Sequence, residues 1–344
     1  MNIELQIYGL SKLGKFINEF FAKEVDEFNE RENEFHLLLK KSQMENAWFT
    51  PESLKSALLE WANAFDEDKI KAWLSHYSPV NEQKTVGLIL AGNIPLVGWH
   101  DVMSVILSGH TAMIKLSSKD KNIIPFLLKL WNEYSENNID YQLVEKLENF
   151  DAVIATGSNN TARYLNYYFE KYPHIIRKNR TSIGVLDGTE TDEEIQKLAQ
   201  DIFTYYGLGC RNISRLFLPK DFKLDQLFEN FMEFSEIINH NSYANNYDYN
   251  KAIYLLNQEQ FWDNNFVMLK EDEQLFSPLS VINFTHYNDM EEVKNFIDEN
   301  QDSIQCVVSK KDFMEHIIPL GKAQQPELMD YADHIDTMKF LREI

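Results

Sequence analysis

From Thr85 onward the hydrophobic pattern switches repeatedly between two periods, and no other feature limits the fold as tightly. TVGLILAG (85–92) is a short apolar run broken by Asn93-Ile94-Pro95, after which Val102, Val105, Ile106 and Leu107 follow a helical spacing. TAMIKL (111–116) reads as a second strand, IIPFLLKLWNEY (123–134) as a helix and DAVIATGS (151–158) as a strand again. TSIGVLDG (181–188) is a further strand, and Thr191 with Glu194 forms a capping box for a helix with Ile195, Leu198, Ile202 and Phe203 on one face. Strands that alternate with helices are joined by crossovers, which predicts an α/β fold on a parallel sheet. Before Thr85, LGKFINEFFAKEV and LKSALLEWANAF, the latter opened by Thr50-Pro51-Glu52, predict a helical lead-in. After Cys210, RLFLP, LSVINF and IQCVVSK read as strands, with a helix ending at Phe231. The Asn- and Tyr-rich stretch NHNSYANNYDYN (239–250) reads as a solvent-facing loop.

A chain of 344 residues accommodates two domains, and Asp187-Gly188-Thr189 is the clearest turn between periodic regions, which places the boundary near 188. With 54 acidic against 33 basic residues, the formal charge of −21 disfavours nucleic acid and anionic membrane surfaces as partners. No apolar run approaches the about 20 residues that span a bilayer. The opening MNIELQIYGLSK lacks the layout of a signal peptide, so a cytoplasmic protein is expected. Cys210 and Cys306 make no disulfide scaffold, and no Cys/His spacing suggests a metal site.

Three stretches carry candidate chemistry. Cys210 follows Gly207-Leu208-Gly209 and precedes Ser214-Arg215. Taken alone it reads first as a buried apolar thiol and second as a reagent, yet its glycines permit close approach to a ligand, and a helix-to-loop junction suits a reachable thiolate. Cys306, among apolar residues of SIQCVVSK, reads as structural. In ATGSNNTARYL (155–165), Thr156-Gly157-Ser158 forms a strand end, turn and helix start, which suits either a phosphate or an ordinary cap. No G-x-G-x-x-G fingerprint follows any strand. In AGNIPLVGW (91–99), Asn93 sits at a sharp turn, either satisfying its own backbone or directing an amide at an oxyanion. His100 and His110 lie close to these motifs and read first as packing residues, second as proton donors.

In this order the motifs resemble the aldehyde dehydrogenase superfamily, and specifically its LuxC-like branch of fatty-acyl (acyl-CoA) reductases, from about Thr85 to the C-terminus. Gly92-Asn93-Ile94-Pro95 is similar to the family's Asn-aromatic-Pro turn, which implies that Asn93 lines an oxyanion hole. Gly109-His110-Thr111 through Lys115-Leu116-Ser117-Ser118 is similar to its Gly-Asn-Thr strand ending in Lys-Pro-Ser, which implies that Lys115, Ser117 and Ser118 meet the adenosine ribose. Thr156-Gly157-Ser158 matches the turn at the cofactor pyrophosphate. Gly207-Leu208-Gly209-Cys210, with Ser214-Arg215, matches the segment around the nucleophile. Phe276-Ser277-Pro278 resembles Phe-Gly-Pro beside the nicotinamide, and Gln274 stands where a glutamate meets the nicotinamide ribose.

The departures refine what the resemblance implies. Oxidising members carry a general-base glutamate that activates water against the acyl-enzyme; here Ile176, in HIIRKNR, stands near that position, which argues for the reductive direction. Ser118 replaces a glutamate that binds the adenosine 2′-hydroxyl in NAD-preferring members. A small neutral residue there, with Lys115 or Lys119 nearby, favours NADPH over NADH. The implied organisation is a helical lead-in and NADP-binding domain over 1–188, a catalytic domain over 189–325 and a C-terminal docking tail over 326–344.

The implied activity is NADPH-dependent reduction of an acyl thioester, acyl-CoA or acyl-protein, to aldehyde through an acyl-enzyme on Cys210. An acyl-transferring partner protein and a homo-oligomer are both compatible with it. The alternatives are an NAD(P)-dependent aldehyde dehydrogenase running oxidatively and a non-catalytic docking subunit of the same fold. A platform has no need of Cys210, Asn93 and the Gly-Ser turn together.

Overall fold

Each helix of the lead-in starts on a side-chain oxygen that satisfies a backbone N–H its first turn leaves unpaired. Asn2 caps α1 (Ile3–Ala22), Thr50 caps α3 (Pro51–Ala64) with proline in the first turn, and Asp66 caps α4 (Glu67–Leu74). Asn29 and Glu32 cap α2 (Glu30–Glu45) reciprocally. Leu10, Leu13, Ile17 and Phe20 repeat every three or four residues along α1 and are buried, as the sequence period requires.

The computed structural model describes residues 1–344 and divides into two units, residues 1–178 with 327–344, and residues 179–326. In the first unit the lead-in is followed by β1 (Thr85–Ile89), α5 (Trp99–Ser108), β2 (Thr111–Lys115), α6 (Ile123–Tyr134), β3 (Tyr141–Leu143), β4 (Ala152–Thr156), α7 (Asn159–Phe169) and β5 (His174–Arg177). The strands form one parallel sheet in the order β3-β2-β1-β4-β5. The chain leaves central β1 toward β2 and β3, then returns to its other side for β4 and β5, so the order reverses between β1 and β4. In open parallel sheets such a reversal leaves a crevice beyond the carboxyl ends of the strands, where ligands bind. Helix α5 stops at Gly109, whose φ of +95 favours glycine. Helix α1 packs on α6 and α3. Phe35 stacks on Phe126 with centroids 4.8 Å apart, and Trp99 and Trp131 are fully buried.

The second unit contains β6 (Thr181–Val185), α8 (Asp192–Phe203), β7 (Ile213–Pro219), α9 (Leu224–Phe231), α10 (Asn241–Leu256), β8 (Trp262–Asp263), β9 (Met268–Glu271), β10 (Val281–Tyr287), α11 (Met290–Asn300), β11 (Ile304–Ser309) and β12 (Ile317–Ile318). Its sheet has the order β12-β11-β6-β7-β10-β9-β8, parallel except for the β8–β9 pair. The Thr191/Glu194 capping box opens α8 as expected.

Three expectations differ from the structure. The units divide after Lys178 rather than near Gly188, because TSIGV pairs with β7 and β11, both later in the chain. The stretch 239–250 is no loop: from Asn241 it forms α10, capped by His240, with Tyr243, Tyr247, Asn250 and Tyr254 buried along one face. Its helical period is hidden in sequence because the buried face is made of tyrosines and an asparagine. Finally, residues 327–344 belong to the first unit, where α12 (Thr337–Glu343) packs on α5 and buries Met338 and Leu341. Arg177 holds this segment from the end of β5: it pairs with buried Asp101 at 2.7 Å and donates to the Ala332 carbonyl at 2.6 Å and the Thr337 hydroxyl at 2.9 Å.

Candidate active site

In the first unit the sequence-derived residues collect beyond the carboxyl ends of β1, β2 and β4, neighbouring strands of one sheet. Asn93 is exposed on the turn after β1, Lys115 and Ser118 are exposed at the end of β2, and Ser158 is exposed after β4. The turn after β1 lies directly on the loop after β2. A Cβ on Gly92 would come within 2.6 Å of the Ser117 hydroxyl and 3.1 Å of the Asp120 nitrogen. The Asn46 amide donates to the Lys119 carbonyl at 3.2 Å and the Gly92 carbonyl at 3.4 Å, tying both segments to the end of α2.

Asp120 is the main brace of this turn. Its carboxylate accepts from the backbone N–H of Leu96 at 3.1 Å, and Leu96 is held at φ 59, a left-handed conformation costing roughly 1–2 kcal/mol for a non-glycine residue. Burial pushes the Asp120 carboxyl up to about 6, against the opposing pull of the Leu96 N–H. Its second oxygen has no hydrogen-bond partner. Ser117, assigned to the cofactor in sequence, accepts from the Lys119 N–H at 3.2 Å and thereby shapes the loop itself.

After β4, the Gly157 N–H donates to the Arg177 carbonyl at 3.1 Å, and Ser158 caps α7 by accepting from the Thr161 N–H at 3.3 Å. A Cβ on Gly157 would meet Thr161 at 2.8 Å, so close passage of the turn over α7 requires glycine. The first turn of α7 is exposed, which leaves a helix N-terminus facing solvent beside Gly157.

Both histidines are structural. The His110 ring accepts from the Lys84 N–H at its Nδ1, at 3.0 Å, so its Nε2 carries the proton donated to the Leu341 carbonyl at 2.6 Å. His100 bonds the Leu328 carbonyl at 2.9 Å and packs against Trp73 and Tyr331; burial lowers its pKa and keeps the ring neutral.

In the second unit Cys210 is half-buried on a turn of unusual backbone. Beyond α8, Tyr205, Tyr206 and Gly207 adopt φ 55, 60 and 79, reversing the chain in a left-handed turn. Asn212 spans that reversal. Its Nδ2 donates to the carbonyls of Asp201 and Ile202, each at 3.1 Å, and of Thr204 at 2.7 Å, while its Oδ1 accepts from the Gly209 N–H at 2.8 Å. The Ser182 hydroxyl donates to the Cys210 carbonyl at 3.0 Å, accepts from the Cys306 N–H at 3.2 Å and lies 3.1 Å from the Cys306 sulfur. Cys306 is therefore a buried partner of Ser182, the residue that holds the Cys210 carbonyl. Asp201 accepts from the N–H groups of Gly321 and Ala323 at 2.6 and 2.9 Å, and Arg211 donates to the Ala323 carbonyl.

The segment carrying Gln274 and Phe276 is fixed through its main chain. Buried Arg215 on β7 donates to the carbonyls of Asp272 and Gln274, both at 2.8 Å, with its guanidinium over the rings of Phe217 and Phe296. Burial brings its pKa down to about 10, opposed by Asp272 and Glu273. Asn283 donates to the carbonyls of Gln274 and Phe276 at 3.0 and 3.2 Å. The Gln274 side chain is exposed and Phe276 is 41% exposed, so both are presented outward from a rigid backbone. No sequence signal marks Asp120, Ser182, Asn212 or Asn283; Asn212 lies inside the Cys210 motif, but its type alone does not tell where its amide points.

No group of three or more His, Cys, Asp or Glu side chains is arranged to hold a metal, and no helix is long and apolar enough to cross a membrane. A family model described as Acyl-CoA reductase (LuxC) matches residues 23–320. No curated protein matches the chain. Among solved structures, aldehyde dehydrogenase 21 from Physcomitrella patens, in complex with succinate, is similar at 14% identity and a TM-score of 0.68, over 100% of this chain and 84% of that one. An NAD-dependent aldehyde dehydrogenase from Sinorhizobium meliloti gives 13% and 0.64, over 92% and 72%. An NADP-dependent enzyme from E. coli gives 13% and 0.63, over 94% and 76%. The fold is that of the aldehyde dehydrogenases, as the sequence motifs implied.

Proposed function

We propose that this chain, which belongs to the acyl-CoA reductase (LuxC) family, reduces an acyl thioester to an aldehyde with NADPH through an acyl-enzyme on Cys210. The observation that carries this reading is the support around Cys210. A left-handed turn, the Asn212 clamp and the Ser182 bond hold a half-buried thiol in one fixed backbone geometry, more than a packing cysteine requires.

In the proposed reaction the Cys210 thiolate sulfur bonds to the thioester carbonyl carbon. The Asn93 amide and the Cys210 backbone N–H take the roles the resemblance gives them and stabilise the oxyanion. The carrier thiolate departs with the bonding pair and takes up a proton, leaving an acyl-enzyme thioester. NADPH, when bound, supplies the hydride that reduces this acyl carbon. The carbon–sulfur pair then returns to Cys210, freeing the aldehyde and regenerating the thiolate.

The residues of the first unit fit such a cofactor. Gly157 and the exposed N-terminus of α7 suit a pyrophosphate, and Lys115 and Ser118 suit an adenosine ribose on the same sheet edge. The neutral Ser118 side chain adds no repulsion against a 2′-phosphate, and Lys115 or Lys119 is able to pair with it. Asp120, the acidic residue closest in sequence, is buried and bonded to Leu96. Gln274 and Phe276 take the nicotinamide end. Ile176, half-buried on β5, offers no proton acceptor at the position where oxidising relatives activate water, which favours handing the acyl group to hydride.

The test is a panel of acyl-CoAs of increasing chain length with NADPH and trapping of the product. Aldehyde that disappears in Cys210→Ala is expected. Acid formed from aldehyde and NADP+ without CoA would instead support an oxidative dehydrogenase.

A further inference from the structure

Two peptide groups flank Cys210, and each has a dedicated partner. The group after it is held at its carbonyl by Ser182. The group before it joins the Gly209 carbonyl to the Cys210 N–H, and that carbonyl accepts from the Asn212 N–H at 3.1 Å. A trans peptide is planar, so fixing the carbonyl fixes the direction of the N–H on its opposite side. That N–H is the backbone donor of the proposed oxyanion stabilisation.

What holds Asn212 itself is its side chain. The Nδ2 bonds reach three carbonyls around the end of α8, where the helix has run out of N–H partners, and the Oδ1 takes the Gly209 N–H from the other side. Asn212 thus joins the end of a rigid helix to both sides of Gly209, its carboxamide to the Gly209 N–H and its backbone N–H to the Gly209 carbonyl. Asn212 is buried, and every one of these bonds is intramolecular.

We propose that Asn212 is a positioning residue for the Cys210 chemistry: its carboxamide anchors Asn212 to the end of α8, and the Asn212 backbone N–H thereby fixes the peptide that precedes Cys210. This rests on the reading of Cys210 as the acylated thiol. Without the carboxamide the reversal at Tyr205-Tyr206-Gly207 loses its tie, and the Cys210 N–H no longer points constantly at one place. Removing an oxyanion donor typically costs 10²- to 10³-fold in rate, and a donor that is misdirected part of the time is expected to cost about 10- to 100-fold.

The experiment compares the wild-type protein, Cys210→Ala, Asn212→Ala and Asn212→Asp in single-turnover acylation by S-phenyl thioacetate, followed by intact mass, well below each protein's Tm. The acylation rate constant of the sites that react is read separately from the fraction of sites that react and from Tm. A fall of at least about 10-fold in the saturating rate constant, with half-saturation moved less than about 3-fold, is the expected result. A lower Tm or fewer reactive sites, with rate constants within about 3-fold of wild type, would make Asn212 a purely structural residue and overturn the proposal. Asn212→Asp keeps the size and the acceptor for Gly209, so it decides the question if Asn212→Ala does not fold. Failure of wild-type Cys210 to acylate would overturn the reading of Cys210 instead, a result distinct from acylation at unchanged rates in the variants.

Discussion

Asp120, in the loop after β2, accepts a 3.1 Å hydrogen bond from the backbone N–H of Leu96, which is held at φ 59 in the turn that carries Asn93. A buried carboxylate with one oxygen unpartnered thus supports the strained backbone beside a candidate oxyanion donor. Support and cost come from the same group. Burial raises its pKa from the usual 3.8 to about 6, so the folded chain binds this proton more tightly than the unfolded chain.

The sign of the resulting pH dependence follows. Between about pH 4 and 6 the folded state holds the extra proton, so the stability contributed by Asp120 declines as pH rises through that window and is constant above it. Asp120→Asn keeps an acceptor for Leu96 without the charge. Wild-type stability relative to this variant is expected to fall by up to roughly 3 kcal/mol across the window, measured by urea unfolding of both proteins. Asp120→Ala removes the acceptor at every pH and is expected to be destabilised by about 1–3 kcal/mol at pH 7.

Arg177 and Asp101 form a buried pair whose arginine also holds the Ala332 carbonyl and the Thr337 hydroxyl. Removing one member of such a pair leaves an uncompensated charge, and Arg177→Ala is expected to cost roughly 3–5 kcal/mol in urea unfolding. Arg177→Lys is expected to recover little, because an ammonium cannot reproduce the forked contact to Asp101. Limited proteolysis should then cut first within residues 327–344.

Ser118 is exposed at the end of β2, beside Lys119. A glutamate there would repel a 2′-phosphate and accept from a 2′-hydroxyl. Ser118→Glu is expected to lower the ratio of kcat/KM for NADPH over NADH by at least about 10-fold, the equivalent of 1.4 kcal/mol. An unchanged ratio would remove Ser118 from the account of cofactor choice.

Much of the fold is legible in the sequence because the strands and caps are local signals. The capping pair at Thr191/Glu194 and the Thr50-Pro51 start are readable without tertiary knowledge. Helix α10 is not, since its asparagines favour turns in isolation, and its face of Tyr243, Tyr247, Asn250 and Tyr254 is recognisable as a face only once Tyr247 meets Asp263 and Asn250 meets the Leu279 carbonyl. The division of the chain is hidden for a similar reason: TSIGV looks continuous with the strands before it, and only its pairing with β7 and β11 assigns it to the second unit. At the site, Cys210, Asn93 and the Gly157 turn are visible as motifs. Their supports, Asn212, Ser182 and Asp120, act through backbone groups brought close by left-handed turns, and residue type does not encode that reach.

The most direct measurement is intact-mass analysis of the protein mixed with decanoyl-CoA in the absence of NADPH, followed by addition of NADPH. One decanoyl group is expected on Cys210 and none on Cys210→Ala, with Cys306 unmodified, and NADPH should discharge the adduct as decanal. An unmodified Cys210 across acyl-CoAs of all chain lengths, or an adduct discharged as decanoic acid at the same rate with and without NADPH, would contradict the account.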